Sequence, residues 1–509
     1  MTESERFAAA AAARRGGRYA DALDLLKGCE DWPAPENEQA MLLRAGILAR
    51  RSPAESLEYL ARTQDVVASD AGRFNYYVTS AVAYIRTRNH DAAASMLDIA
   101  APLAGAATPS ERVPFHSSRA LLRWCTGAYD PADVDLRSLC DGSDPDGRFV
   151  GLQLRGWMHA GQGRFEEHTS DLVAAVRVAI AHPGVSDPEL LARQVHSLLR
   201  LGLERGDESA MVAGIEGYDA VPWSEDLRPY RFLCVRALAW VAYLRGDNAQ
   251  AQWLLKEAKE YAVTDAWAVM AHLDRAWVAR TNGNEPWAID ELLEAHRIAR
   301  NVPWAQTQGE ERQALVMMAT LFAPIDMARA QLYISRYMSI GKDSVDPTLA
   351  IATDRRALGF EKYALGRVHQ VLGNETLAVK SLESAHRIFA ECGYRFRAAL
   401  AATALYELTH EGHWAERARR DLSIYPQSAL AQMLNASPFP LDASPLRDLN
   451  SMQRQVAIAL CEGLDVAALS ERFSRSAFTM NRLVSAVYER LGTSSRSGLR
   501  SLLRDWVAA

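Results

Sequence analysis

Between residues 472 and 504 stand seven arginines (Arg472, Arg475, Arg482, Arg490, Arg496, Arg500 and Arg504) against one acid, Glu489. That local charge of +6 sits in a chain whose formal net charge is −6, so everything else sums to −12. A basic patch on an acidic protein is the electrostatic footprint of phosphate binding. Inside it lies FSRSAFTMNRLVSAVYERLG, residues 473–492. Asn481 carries the amide that reads adenine through two hydrogen bonds. On a helix whose inner stripe is Met480, Val484, Val487 and Leu491, the residues Asn481, Arg482 and Ser485 point outward, toward a DNA groove. Arg475 and Arg496 suit phosphates, and Thr479 and Arg490 complete the candidate set. The competing reading is a solvated basic face on a helical domain that docks a protein.

Short helices must position those residues. The segment from Ser451 to Cys461 ends at Gly463; a second runs from Asp465, placed as an N-cap, to Phe473. The third begins after Ser476 and is closed by Gly492, and a final helix holds Leu499, Leu502, Leu503 and Trp506. The second and third lie only a few residues apart, the spacing of a helix-turn-helix. Upstream, Pro438, Pro440 and Pro445 within eight residues forbid a continuous helix, so 423–448 reads as a linker.

The rest of the chain echoes itself. GRYADA at 17, GDNAQA at 246, GNEPWA at 283 and GNETLA at 373 each place Ala five residues after Gly. In the last three a second Ala follows seven residues on (Ala258, Ala295, Ala385). Weaker copies begin near Ser52, Asn89, Gly127, Gly163, Gly206, Pro324 and Gly412. Gly suits a tight turn between helices, and small side chains seven apart let a second helix approach. The unit is helix, turn, helix, repeated about eleven times, and such units bury their apolar faces only by stacking.

The Gly, the aromatic two residues later (Tyr19, Phe165) and the paired alanines resemble the tetratricopeptide repeat family across about residues 4–425. The C-terminal segment resembles the LuxR/GerE-type helix-turn-helix domain through LNSMQRQV at 449–456, EGL at 462–464, Thr479-Met480, YERLG at 488–492 and Ser495-Arg496. That resemblance implies a third helix in the major groove, with Thr479-Met480 setting its start. The chain departs from the family pattern at Asn481, where lysine is usual, and at Leu483, Ala468 and Met452-Gln453.

Other chemistry finds little footing. The chain has 509 residues, 49% hydrophobic and 24% charged, the composition of a foldable protein. Its six cysteines (Cys29, Cys125, Cys140, Cys234, Cys392, Cys461) form no CxxC pair, which argues against zinc. Gly341-Lys342-Asp343 lacks the rest of a phosphate loop. His410 and His413 have no third ligand nearby, and His296 and His386 read as partly exposed repeat-surface positions. No catalytic set, metal site or cofactor is expected, and no signal peptide or membrane span. Only six of the 57 basic residues are lysine, which reads as compositional bias with little structural content. On a concave repeat surface, Trp240, Tyr243, Arg275 and Trp277 are candidate effector contacts.

The expectation is therefore all-α: a tetratricopeptide-like α-solenoid of about eleven helical hairpins over 1–422, a Pro-rich linker over 423–448 and a four-helix LuxR-type helix-turn-helix domain over 449–509. The expected function is that of a cytoplasmic transcriptional regulator binding double-stranded DNA. Its solenoid would sense a protein, peptide or small molecule, and symmetric sites would ask for a homodimer. The alternative is a scaffold whose C-terminal domain docks a protein such as RNA polymerase.

Overall fold

A computed structural model describes residues 1–33, 36–127, 130, 133–184, 187–307, 310–340, 355–436, 449, 451–473 and 475–503. Gly341 to Asp343, the three linker prolines, Arg504 and Trp506 lie outside them. The described residues contain helices and no strand. Consecutive helices pair as hairpins, the all-α repeat arrangement expected of tetratricopeptide-like units. The first six pairs are α1 (Glu3–Arg15) with α2 (Tyr19–Leu25), α3 (Glu36–Arg51) with α4 (Pro53–Thr63), α5 (Asp70–Arg86) with α6 (His90–Ala100), α7 (Pro109–Cys125) with α8 (Val134–Cys140), α9 (Pro145–Gly161) with α10 (Phe165–Ala181) and α11 (Pro188–Arg205) with α12 (Glu208–Ala220). Five more follow: α13 (Arg228–Leu244) with α14 (Asn248–Glu260), α15 (Asp265–Thr281) with α16 (Glu285–Ala299), α17 (Glu310–Phe322) with α18 (Met327–Ser339), α19 (Arg355–Val371) with α20 (Glu375–Glu391), and α21 (Arg395–Thr409) with α22 (Gly412–Asp421).

The repeat logic of the sequence is visible in the turns. Gly246 takes φ 83°, a left-handed value that costs glycine nothing. The Asp247 N–H then reaches back to the Ala242 carbonyl at 2.9 Å, and the Asp247 carboxylate caps α14 by accepting from the Gln250 N–H at 2.9 Å. The spaced alanines are core: Ala251, Ala258, Ala288, Ala295, Ala378 and Ala385 are all buried. The last hairpin differs from its expected copy. Gly412 is the first residue of α22, and the left-handed turn residue is His410, at φ 56°.

The chain divides into two compact units: Met1–Gly202 with Asp207–Ala237, and Leu203–Gly206 with Leu238–Ala509. Each closes on itself. In the first, the α1–α2 turn and α3 meet the segments around 187 and 226. Tyr19 donates to Asp187 at 2.9 Å, Ser224 to the Gly17 carbonyl at 2.7 Å, and the Ala20 N–H to Asp226 at 2.9 Å. Arg50 pairs with Asp187, and Arg51 with Asp226 at 3.0 Å. In the second, Trp240 meets Phe396 at a 6.0 Å ring separation, and Tyr425 donates to the Leu203 carbonyl at 2.8 Å. Gly246 lies so close to Gln427 that an added Cβ would stand 2.7 Å from its carbonyl oxygen.

Arginine has structural content that composition did not reveal. Guanidinium groups repeatedly cap the C-terminal carbonyls of neighbouring helices, which have no intrahelical partner. Arg86 donates to the Arg50 carbonyl at 2.8 Å, Arg280 to Leu321 at 3.1 Å, and Arg312 to Ile340 at 3.2 Å. Arg6 bridges the carbonyls of Leu25 and Lys27, both at 2.9 Å. In Arg6 one terminal nitrogen serves both acceptors and the rest of the guanidinium keeps its donors.

Candidate functional site

Residues 423–448, expected as a linker, open with a 3-10 turn and a helix, α23 (Ala429–Ala436); 437–448 lie outside the described residues. Beyond them stand α24 (Ser451–Glu462), α25 (Val466–Arg472), α26 (Ala477–Arg490) and α27 (Arg496–Leu502). Asp465 caps α25 by accepting from the Ala468 N–H at 2.9 Å, and Ser476 caps α26 by accepting from the Thr479 N–H at 3.2 Å. The four helices share a core of Leu449, Val456, Leu460, Leu469, Phe473, Met480, Val487, Leu499 and Leu503. Met480 and Val487 are fully buried; Val484 and Leu491 are half-buried and pack against the same core. The domain is fastened to the last repeat by Arg454, a buried α24 residue that donates to the Leu408 carbonyl at 3.1 Å.

The candidate DNA-binding residues fall into two groups. Thr479, Asn481, Arg482 and Ser485 are exposed on one face of α26, with Arg475 exposed just before it. The side chains of Arg475, Asn481, Arg482 and Ser485 make no hydrogen bond or ion pair with any described residue. Arg490 and Arg496 are engaged by the domain itself. Arg490 donates to Gln453 at 3.1 Å. Arg496 caps α24 through the carbonyls of Gly463 at 3.1 Å and Leu464 at 2.6 Å. Arg500 caps the same end through Cys461 at 2.8 Å, and Arg472 pairs with Glu462 at 2.6 Å. So four arginines of the basic run are tied to the domain's own groups. They keep their positive field and their remaining N–H groups, but each commits one or two nitrogens to the domain. Sequence reasoning passed over Phe478, which stands beside Thr479 on α26 and is 72% exposed. An exposed phenylalanine at a helix start was the available signal.

The solenoid candidates also separate. Trp240, Tyr243 and Trp277 come together, with rings 5.2–5.6 Å apart. Tyr243 is fully buried, and Trp240 touches Phe396, so this cluster closes the second unit on itself. Arg275 belongs elsewhere. It pairs with Glu291 at 2.8 Å and lies over the Trp287 ring, beside His272, whose Nδ1 is 2.6 Å from Glu291. Burial raises the Glu291 carboxyl, but hydrogen bonding to His272 and the Arg275 charge outweigh it and hold the group below the usual range. His296 is half-buried, with Nδ1 2.6 Å from the Tyr333 hydroxyl. The His413 ring lies tilted against Trp414, and no group of three or more His, Cys, Asp or Glu among the described residues has metal-site geometry. No described helix is long and apolar enough to cross a membrane.

No family model matches the chain, and no curated protein does. Among solved structures, the crystal structure of the APC/C hetero-tetramer Cut9-Hcn1 is similar at 14% identity and a TM-score of 0.25, covering 85% of this chain and 90% of that one. The structure of Naa15/Naa10 bound to HypK-THB is similar at 14% identity and a TM-score of 0.21, covering 99% of this chain and 97% of that one. Likeness at these scores carries no argument, and the architecture rests on the helices themselves. The resemblance of 449–509 to LuxR/GerE-type domains gains no support from these comparisons.

Proposed function

We propose that the protein is a helical-repeat interaction scaffold whose C-terminal four-helix domain docks a protein partner such as the transcription machinery. One observation carries this reading. The accessible face of α26 presents an exposed Phe478, while four of the arginines that made the segment basic cap or pair with the domain's own helices. Exposed aromatic anchors favour protein interfaces, and each N–H given to the domain is one fewer for a phosphate.

A second reading, a LuxR-type DNA-binding regulator, is favoured by Arg475, Asn481, Arg482 and Ser485, all exposed around α26. In both, the repeats carry recognition of a protein, peptide or small effector, and no catalytic step or cofactor is invoked. A homodimer belongs to the second reading alone.

The test is immobilised full-length protein titrated with purified RNA polymerase and, separately, with random-sequence duplex. The scaffold reading expects polymerase binding that Phe478→Ala weakens about thirtyfold, as for an aromatic hot spot. Binding to duplex alone, lost on Arg482→Ala and indifferent to Phe478→Ala, supports the second reading instead.

A further inference from the structure

Arg14, Arg50 and Arg86 recur at intervals of 36 residues (14 to 50, 50 to 86). They occupy the last turns of α1, α3 and α5, and α3 packs against both of the others. The period of the repeat therefore stacks three guanidinium groups as one ladder in the first unit. Its middle rung is filled by the chain itself: Arg50 pairs with Asp187, which also accepts from Tyr19 at 2.9 Å. The outer rungs are open. Arg14 and Arg86 are exposed, and Arg14 makes no hydrogen bond or ion pair with any described residue. Arg86 uses one nitrogen on the Arg50 carbonyl and leaves the others to solvent.

Although both side chains keep solvent access, crowding of their guanidiniums by surrounding protein, together with repulsion from Arg50, lowers the pKa of both Arg14 and Arg86. The acids facing the row are Asp146, Asp187 and Glu189. Asp187 is held by Arg50 and Tyr19, and Glu189 by Arg193 at 3.2 Å and Tyr230 at 3.0 Å. Burial and nearby Asp144 push Asp146 up to about 6. Two outer rungs remain that an anion would relieve.

We propose that this ladder receives an extended acidic segment of a partner protein, one carboxylate on Arg14 and another on Arg86. The spacing selects the ligand. Packed helices lie about 8–10 Å apart, so the outer rungs are about 16–20 Å apart. An extended chain advances about 3.3 Å per residue, which places the two acids five to six residues apart. A compact dianion does not reach both rungs. The proposal rests on the scaffold reading and names a partner chemistry for a site remote from Phe478.

The experiment is fluorescence anisotropy of full-length protein with labelled Gly/Ser peptides carrying two glutamates that are six apart, three apart or adjacent. The six-apart peptide is expected to bind about five- to tenfold more tightly than the adjacent one. Arg14→Ala and Arg86→Ala each remove that preference, while Arg15→Ala, at an exposed neighbour, does not. Asp187→Asn opens the middle rung and improves the three-apart peptide. Equal affinity for all three peptides, absence of binding, or indifference to both Arg14→Ala and Arg86→Ala overturns the proposal. Those failures leave polymerase docking through Phe478 standing, because that binding is read separately.

Discussion

The C-terminal domain and the first repeat unit both concentrate arginine, and they use it in opposite ways. In the C-terminal domain, Arg490, Arg496 and Arg500 point their donors at Gln453 and at the end of α24. In the first unit, Arg14 and Arg86 flank an occupied Arg50 and keep donors facing solvent. The basic run of the C-terminal domain is conspicuous in the sequence but mostly structural. The ladder is dispersed over 72 residues and is invisible to any local charge count. A guanidinium near unpartnered helix carbonyls is drawn into capping them, as Arg86 is through one nitrogen; Arg14, facing Arg50, makes no such bond to a described residue and leaves its donors for an anion.

The largest effect that tests this contrast is expected from Asp187→Asn. It leaves Arg50 without its carboxylate in a partly buried setting and should cost about 3 kcal/mol in the first unit. Hydrogen exchange in α1–α3 should rise, with α15–α18 unchanged. Next comes Arg496→Ala. Uncapping Gly463 and Leu464 should cost about 1–2 kcal/mol locally and raise exchange in α24 and α27. If Arg496→Ala is silent, its fork is free and the contrast breaks.

A pH step separates the regions by sign, with effects on the order of 1 kcal/mol each after solvent screening. Burial and the Arg454 charge push His410, beside the C-terminal domain, down to about 4, below the unfolded imidazole at about 6.5. The unfolded chain then takes up the proton first, and this end of the second unit loses stability as pH falls from about 6.5 to 4. Asp146 in the first unit is pushed up to about 6, above the unfolded carboxyl at about 3.9. The folded state protonates first there, so the first unit gains stability as pH falls from about 6 to 4. Between pH 7 and pH 5, amide protection measured against the intrinsic exchange rate at each pH should rise in α9 and fall in α21. The smallest effect is expected from Arg14→Ala and Arg482→Ala. Both are exposed and without protein partners, so thermal unfolding should move by less than about 0.5 kcal/mol.

Much of the solenoid was legible in the sequence because its signals are local. The Gly246 and Gly283 turns and the alanines five and twelve residues on are set by backbone sterics and helix approach, both of which act within one hairpin. The stripe of Met480, Val484, Val487 and Leu491 was legible for the same reason. The turn at His410 was not, since a left-handed non-glycine residue has no spacing rule. Trp240 and Trp277 are candidate effector contacts by sequence, yet Trp240 meets Phe396 more than a hundred residues away and Trp277 packs on Trp240, an arrangement that only closure of the unit creates. The destinations of Arg490 and Arg496 were hidden too, because a backbone carbonyl as acceptor leaves no residue type to recognise.

The most direct measurement is the salt dependence of binding between the full-length protein and random-sequence duplex. Each phosphate neutralised contributes about −0.9 to the slope of log K against log salt. With only Arg475 and Arg482 free on the α26 face, the account predicts either no measurable binding or a slope no steeper than about −2. A slope of about −5 or steeper that Arg496→Ala and Arg500→Ala flatten, and Arg14→Ala does not, would show that these arginines release their carbonyls to hold DNA, and would contradict it.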